Sequence, residues 1–233
     1  MAKEKGGFWV GVGATILYPA GALLAGRRIE GPGLPREGGV LLVMNHVSHL
    51  DPVYDAVLVH KQGRLPHFLA KHSLWNVPVV GGLLRGTGQI PVYRGTSDAQ
   101  QSLRAAHEAL DAGHVVVIYP EGTITRDPAG WPMHSRTGIA RLALEHDVPV
   151  IPAARWGTRD IYDHYRKRFR PFPRKSVVTR FGDPVDLAEF RAKPHDLPQL
   201  RQVTDLIMHQ VKDLLGQVRD EQAPEGFYHS RKA

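Results

Sequence analysis

The segment Asn45-His46-Val47-Ser48-His49-Leu50-Asp51 sets an imidazole and a carboxylate five positions apart. A histidine beside a carboxylate is a common way to make a general base near neutral pH. The carboxylate holds the ring in one tautomer and stabilises its protonated form. On one continuous helix a spacing of five puts the two side chains well apart around the axis. The pair therefore needs His46 on a turn and Asp51 in the first turn of a helix. Pro52, tolerated at a helix start, fits that arrangement. Spacing alone leaves a plainer reading open, with Asp51 an ordinary first-turn acid and His46 a surface histidine.

Other unusual polar residues also follow short apolar runs. Lys71-His72 comes after residues 67–70, Arg94 after 89–93, and Glu121-Gly122-Thr123 after 114–119. Residues 39–44, 148–152 and 176–181 read as further buried strands. Helices are predicted over 73–84 with Ser73 as cap, 97–111 with Gly113 just past the end, 137–146, and 200–218. Strands alternating with helices predict an α/β fold, a mostly parallel mixed sheet flanked by helices. In such sheets ligands sit beyond the carboxyl ends of the strands. All four polar clusters could converge there.

Composition bounds the chemistry. The 233 residues suffice for one substantial core, and there is no cysteine. A disulfide framework, a thiolate nucleophile and a cysteine-rich zinc site are excluded. The net charge is +7, which favours anionic partners. Arg155, Arg159, Arg166, Lys167, Arg168, Arg170, Arg174, Lys175 and Arg180 face only Asp160 and Asp163 within residues 155–180. As a group they suggest a membrane-surface patch, each worth roughly 1 kcal/mol beside an anionic leaflet. Residues 6–26 carry no charge and include Phe8, Trp9, Ile16, Leu17, Tyr18, Leu23 and Leu24. About 20 apolar residues can cross a bilayer, but glycines and Pro19 make this a poor span. A leaflet anchor, a span or signal peptide, and a buried helix all remain open. The predicted organisation is an apolar membrane-associating segment at 1–30, a catalytic domain at 31–218 after the 31–35 Gly/Pro turns, and a loose polar tail at 219–233.

The string Asn45-His46-x-Ser48-x-x-Asp51 resembles the His-x4-Asp signature of the 1-acyl-glycerol-3-phosphate acyltransferases, a glycerolipid family. Gly88-Gln89-Ile90-Pro91-Val92-Tyr93-Arg94 resembles the family's second block. Tyr119-Pro120-Glu121-Gly122-Thr123 resembles the third, and Val148-Pro149-Val150-Ile151-Pro152 the fourth. The four blocks occur in the family's order between residues 45 and 152. The resemblance implies that His46 deprotonates an acceptor hydroxyl, which attacks an acyl thioester, and that Asp51 orients His46. It implies that Arg94 binds the acceptor's phosphate and that Glu121, Gly122 and Thr123 shape the acceptor site, with Lys71 as a second phosphate ligand. Family members usually carry arginine directly after Glu-Gly-Thr. Here Ile124 and Thr125 intervene before Arg126, which would reach the phosphate from a different backbone position.

The resemblance further implies acyl-CoA as co-substrate, a lysophospholipid acceptor, phosphatidic acid as product, and no metal or cofactor. It implies a peripheral or monotopic seat on anionic lipid at the cytoplasmic face of the plasma membrane, with no nucleic-acid partner. Rival readings have less to rest on. A metal hydrolase could draw on His46, His49, Asp51 and His72, but their spacing fits no zinc-helix motif. A serine hydrolase at Ser48 lacks any Gly-x-Ser-x-Gly elbow. A pure binding module would explain the basic stretch but not the four ordered blocks.

Overall fold

The computed structural model describes residues 6–92 and 99–229. The chain opens with helix α1 (Phe8–Leu24) and then forms strands β1 (Ala25–Glu30) and β2 (Val40–Met44). Helix α2 (Asp51–Lys61), strand β3 (Pro66–Lys71), helix α3 (Val80–Gly86) and strand β4 (Ile90–Val92) follow. Next come α4 (Ala99–Asp111), β5 (Val115–Ile118), α5 (Gly138–Glu145) and β6 (Val150–Trp156). A short helix α6 (Thr158–Ile161) leads into a small hairpin of β7 (Tyr162–Asp163) and β8 (Arg168–Phe169). Strand β9 (Lys175–Phe181), helix α7 (Ala188–Arg191) and the long helix α8 (Leu197–Arg219) complete the fold.

Seven strands form one sheet in the order β1-β9-β6-β2-β5-β3-β4. The pairs β6-β2, β2-β5, β5-β3 and β3-β4 are parallel, and β9 runs antiparallel to β6. The carboxyl ends of β6, β2, β5, β3 and β4 therefore share one edge. Strand β2 is buried throughout, as a central parallel strand covered on both faces must be. Its alternation divides the core. Leu41 and Val43 join Val116, Ile118, Leu110, Leu142 and Ile207 on one face, under α4, α5 and α8. Val40, Leu42 and Met44 join Val115, Val117, Leu58 and Val59 on the other, under α2.

Helix α8 starts where Asp196 accepts a hydrogen bond from the Gln199 amide at 2.9 Å, with Pro198 in the first turn. Its first turn begins three residues before the predicted start at 200. Helix α1 lies against α2, where Tyr18 Oη meets His60 Nδ1 at 2.8 Å and Tyr54 Oη donates to Gly21 O at 3.2 Å.

Three expectations need correction, and one reading left open, a membrane span, loses its support. The helix predicted over 73–84 is divided into a 3-10 turn at His72–Asn76 and α3. Pro78 disfavours helical backbone at Val77, and Val79 then takes a positive φ of 66°. Residues 25–30, assigned from sequence to the apolar segment, are instead the edge strand β1, in register with β9. No helix of the described residues is long and apolar enough to cross a membrane. The tail after Arg219 is held as far as residue 229. Lys212 Nζ donates to Glu225 O at 2.9 Å, and His134 N to Tyr228 O at 3.0 Å.

Candidate active site

Asp51 is wholly buried at the start of α2. Its Oδ2 accepts from Val47 N at 2.7 Å and Ser48 N at 2.8 Å, and lies 2.9 Å from His46 Nδ1. Its Oδ1 accepts from Thr158 Oγ1 at 2.5 Å. Burial works to raise the carboxyl's pKa. The His46 hydrogen bond and charge, the Arg155 charge and the Thr158 hydroxyl outweigh it and hold it below the ordinary value. An ionised Asp51 accepts only, so His46 Nδ1 must donate. The other ring nitrogen, Nε2, is then the proton acceptor. The His46 side chain is 13% exposed against 1% for Asp51, so the imidazole reaches the surface while the carboxylate that holds it stays dry.

The ring's plane is set from the side. Tyr119, at the end of β5, stacks on His46 with centroids 4.4 Å apart and planes 17° from parallel. Its hydroxyl donates to Asp55 Oδ2. Asp55 lies one helical turn after Asp51, and its other oxygen contacts the Arg155 guanidinium. Burial pushes Asp55 up to about 6 in spite of Arg155 and Tyr119. Arg155 also donates from Nη1 to Asp51 O at 3.0 Å and from Nε to Thr179 Oγ1 at 3.1 Å. Asn45 clamps the backbone of Arg155 from both sides, accepting from its N at 2.8 Å and donating to its O at 3.0 Å. Arg155 is only 1% exposed. It belongs to this network and not to the basic surface patch in which the sequence reading counted it. A guanidinium is rarely so buried unless partnered.

Glu121 braces the backbone beneath the base. Its Oε1 accepts from His46 N at 3.0 Å and its Oε2 from Met133 N at 3.0 Å. Burial pushes its pKa up to about 8, against the pull of those two amides. Thr125 N donates to His46 O at 2.8 Å. Both peptide groups of His46 are thus fixed by the loop after β5. Gly122 turns that loop with φ +69°, a conformation side chains disfavour.

The sequence-derived site residues do not all meet. His46, Asp51 and Glu121 come together, and Gly122 is next to them in the loop. Thr123 is exposed. The two residues that separate it from Arg126 are buried. Ile124 O accepts from Tyr165 Oη at 2.9 Å, and Thr125 Oγ1 donates to Trp131 O at 2.6 Å. Arg126 is exposed beyond them. Lys71 is exposed at the end of β3, in register with Val92. Arg94 lies outside the described residues. His49 does not join His46 and Asp51 in a trio. Its Nε2 lies 3.0 Å from His164 Nδ1, and no cluster of three or more His, Cys, Asp or Glu side chains among the described residues could hold a metal.

Sequence reasoning missed Tyr119 as a stacking partner, and with it Asp55, Arg155 and Thr158. The four-residue step from Asp51 to Asp55, one turn of a helix, was the available signal. Nothing in the sequence brought Thr158 to Asp51.

Comparison with known proteins identifies the family. The family model described as Acyltransferase matches residues 27–156. The 1-acyl-sn-glycerol-3-phosphate acyltransferase of Helicobacter pylori is 36% identical over 176 residues, covering 73% of each chain. A chloroplastic 1-acyl-sn-glycerol-3-phosphate acyltransferase of Brassica napus is 30% identical over 120 residues. Those cover 51% of this chain and only 33% of the plant protein, so the chain spans about a third of that relative's length. The crystal structure of the 1-acyl-sn-glycerophosphate acyltransferase PlsC of Thermotoga maritima has the same fold. It superposes with a TM-score of 0.69 at 23% identity, covering 92% of this chain and 81% of that one. The chain belongs to the acyltransferase family.

Proposed function

We propose, from membership of the acyltransferase family, that this chain moves a fatty acyl group from acyl-CoA to the free hydroxyl of 1-acyl-glycerol-3-phosphate, giving phosphatidic acid. The observation that carries the reading is the His46–Asp51 pair, with Nδ1 held by a buried carboxylate and Nε2 left to act. In the reaction Nε2 takes the acceptor's hydroxyl proton. The hydroxyl oxygen then bonds to the thioester carbon, the C–S bond breaks, and the departing thiolate takes the proton from the imidazolium. A thioester is already activated, so a placed base suffices, with no covalent enzyme intermediate. General-base catalysis contributes roughly 10²–10⁴-fold, and placement of the two reactants adds to it. Lys71, at the end of β3, and Arg94, which follows β4 in the sequence, are assigned to the acceptor's phosphate, which suits an arginine fork. The loop of Glu121, Gly122, Thr123 and Arg126 forms the acceptor wall.

The test incubates the purified protein with lysophosphatidic acid and acyl-CoA beside His46→Ala. The variant should lose at least about 10²-fold in kcat. Full activity in it would overturn the mechanism, and loss of wild-type activity to chelators would point to metal chemistry instead. The buried Ile124-Thr125 step before Arg126 favours comparing acceptors. Glycerol-3-phosphate and other lyso-lipids belong in the same assay, and a preference for one of them would move the acceptor without moving the base.

Membrane association is part of the proposal. Helix α1 exposes Phe8, Ile16 and Leu23, and Val79 beside α3 is 85% exposed. This apolar face suits a monotopic seat in one leaflet, at the cytoplasmic face of the plasma membrane where the acyl donor is found. Glutamate at Phe8, Ile16 and Leu23 should move the protein to the soluble fraction. Retention in the membrane fraction would remove α1 from that role.

A further inference from the structure

Acyl transfer must seat two substrates around one base, and the sheet offers two sides for them. His46 follows β2. In the strand order, β3 and β4 lie on one side of β2 and β6 on the other. The acceptor assignment above uses Lys71, at the end of β3, and Arg94, which follows β4 in the sequence. The β6 side has no assigned occupant.

There the chain forms a half-open cavity of about 220 Å³. It is lined by Arg159 of α6 and by Arg166, Arg168 and Arg170 of the β7–β8 hairpin, with Trp156 from the end of β6 as an aromatic wall. Residues two apart on extended backbone share a face, which suits Arg168 and Arg170. The lining carboxylates, Asp160 and Asp163, do not balance four guanidinium groups. Asp163 reaches Arg159 only at 3.5 Å and Arg166 only at 3.8 Å, longer than a close hydrogen-bonded pair. Its Oδ1 already accepts from the Tyr165 and Arg166 amides, at 3.1 Å each. Among the described residues the Arg168 and Arg170 side chains form no ion pair. The walls are tied to the catalytic turn. Thr158, next to Arg159, donates to Asp51, and Ser48 Oγ donates to Tyr162 O at 2.8 Å.

Unbalanced planar donor forks around a small cavity recognise phosphoryl groups. Pockets that take a whole drug-sized ligand start at roughly 300 Å³, so this one fits the end of a longer molecule. We propose that this cavity binds the phosphorylated nucleotide end of the acyl-CoA donor, from which the acyl-bearing arm extends to His46. Donor and acceptor phosphates then approach the base from opposite sides of β2. This rests on the acyl-CoA reading above.

The test compares wild type with an Arg168→Ala/Arg170→Ala variant. Both side chains are exposed, so folding is not at issue. Calorimetry with adenosine 3′,5′-bisphosphate should show binding that weakens about 10-fold in the variant. The KM for acyl-CoA should rise by a similar factor while the KM for lysophosphatidic acid holds. Unchanged bisphosphate affinity overturns the proposal. So does an unchanged donor KM accompanied by weaker sedimentation with anionic phospholipid vesicles, which would give these arginines to lipid headgroups. Inorganic phosphate competing as well as the bisphosphate would reduce the cavity to a simple phosphate site and also overturn it. If wild type binds the bisphosphate but transfers no acyl group from CoA, the function reading fails, and the cavity stands as a nucleotide-bisphosphate site but not as a donor site. If it transfers acyl groups and the variant's donor KM is unmoved, the cavity assignment alone fails.

Discussion

The β2–α2 turn and the excursion from β6 to β9 both lie at the carboxyl edge of the sheet, and they are built in opposite ways. In the turn, one carboxylate, itself out of water, is met by two amides, a hydroxyl and an imidazole. In the excursion, four guanidinium groups line a cavity with two carboxylates, and only Asp163 is approached, by Arg159 at 3.5 Å and Arg166 at 3.8 Å. The first arrangement leaves Asp51 one state and one direction. The second leaves charge uncommitted. A general base needs a fixed ring before the substrate arrives, and a binding site for an anion needs charge that the protein has not already neutralised. On the proposed reading, the contrast separates the part of the site assigned to chemistry from the part assigned to a ligand.

The largest effect should come from removing charge at the fixed end. Asp51→Asn keeps the shape but not the acceptor that selects the Nδ1–H tautomer, so kcat should fall roughly 10²–10⁴-fold. A loss under tenfold would mean that Tyr119 and the Glu121 brace alone orient His46. Arg155→Met tests how much folding energy the turn commands. It strands Asp55 in the core and should cost about 3–5 kcal/mol in denaturant unfolding. Arg168→Ala in the excursion should stay within about 0.5 kcal/mol. Equal losses at the two positions would erase the contrast.

Protonation gives a third comparison. Glu121 is raised to about 8 and Asp55 to about 6 by burial. The folded chain therefore keeps protons that the unfolded chain has already lost. Stability attributable to these groups is full at pH below the unfolded carboxylate range and declines as pH rises through each folded value. Between pH 6 and 8 the decline belongs to Glu121, and Glu121→Gln should flatten it. A slope unchanged in that variant would place the titrating group elsewhere. Thr158→Val is the mildest probe. It removes one donor to Asp51 from the neighbouring region and should cost about 1–2 kcal/mol of stability with only a modest loss of kcat. A loss as large as that of Asp51→Asn would show that α6 and the turn act as one unit.

Much was legible before the structure because the signals were local. Residues 40–44 are apolar without interruption, and a short buried strand in a parallel sheet has to be. His46, Asp51 and Glu121 each follow such a strand, and the sheet's parallel order makes those ends neighbours. The 73–84 helix was misread because Pro78 acts on the residue before it, against an otherwise helical apolar pattern. Strand β1 hid inside an apolar segment because its partner β9 is some 150 residues away, where no periodicity can point. Arg155 was read with the basic residues around it, although its side chain turns inward to Asp55.

The sequence by itself determined the alternating α/β order and the placing of His46 and Asp51 in one turn, since each depends on residues within a few positions of one another. Only the tertiary structure decided how firmly the pair is held. Tyr119 beneath the ring, Thr158 on Asp51 and Arg155 on Asp55 come from three separate elements. Burial, which raises Asp55 and Glu121 and keeps Asp51 dry, is a property of packing and is not carried by any one stretch of chain.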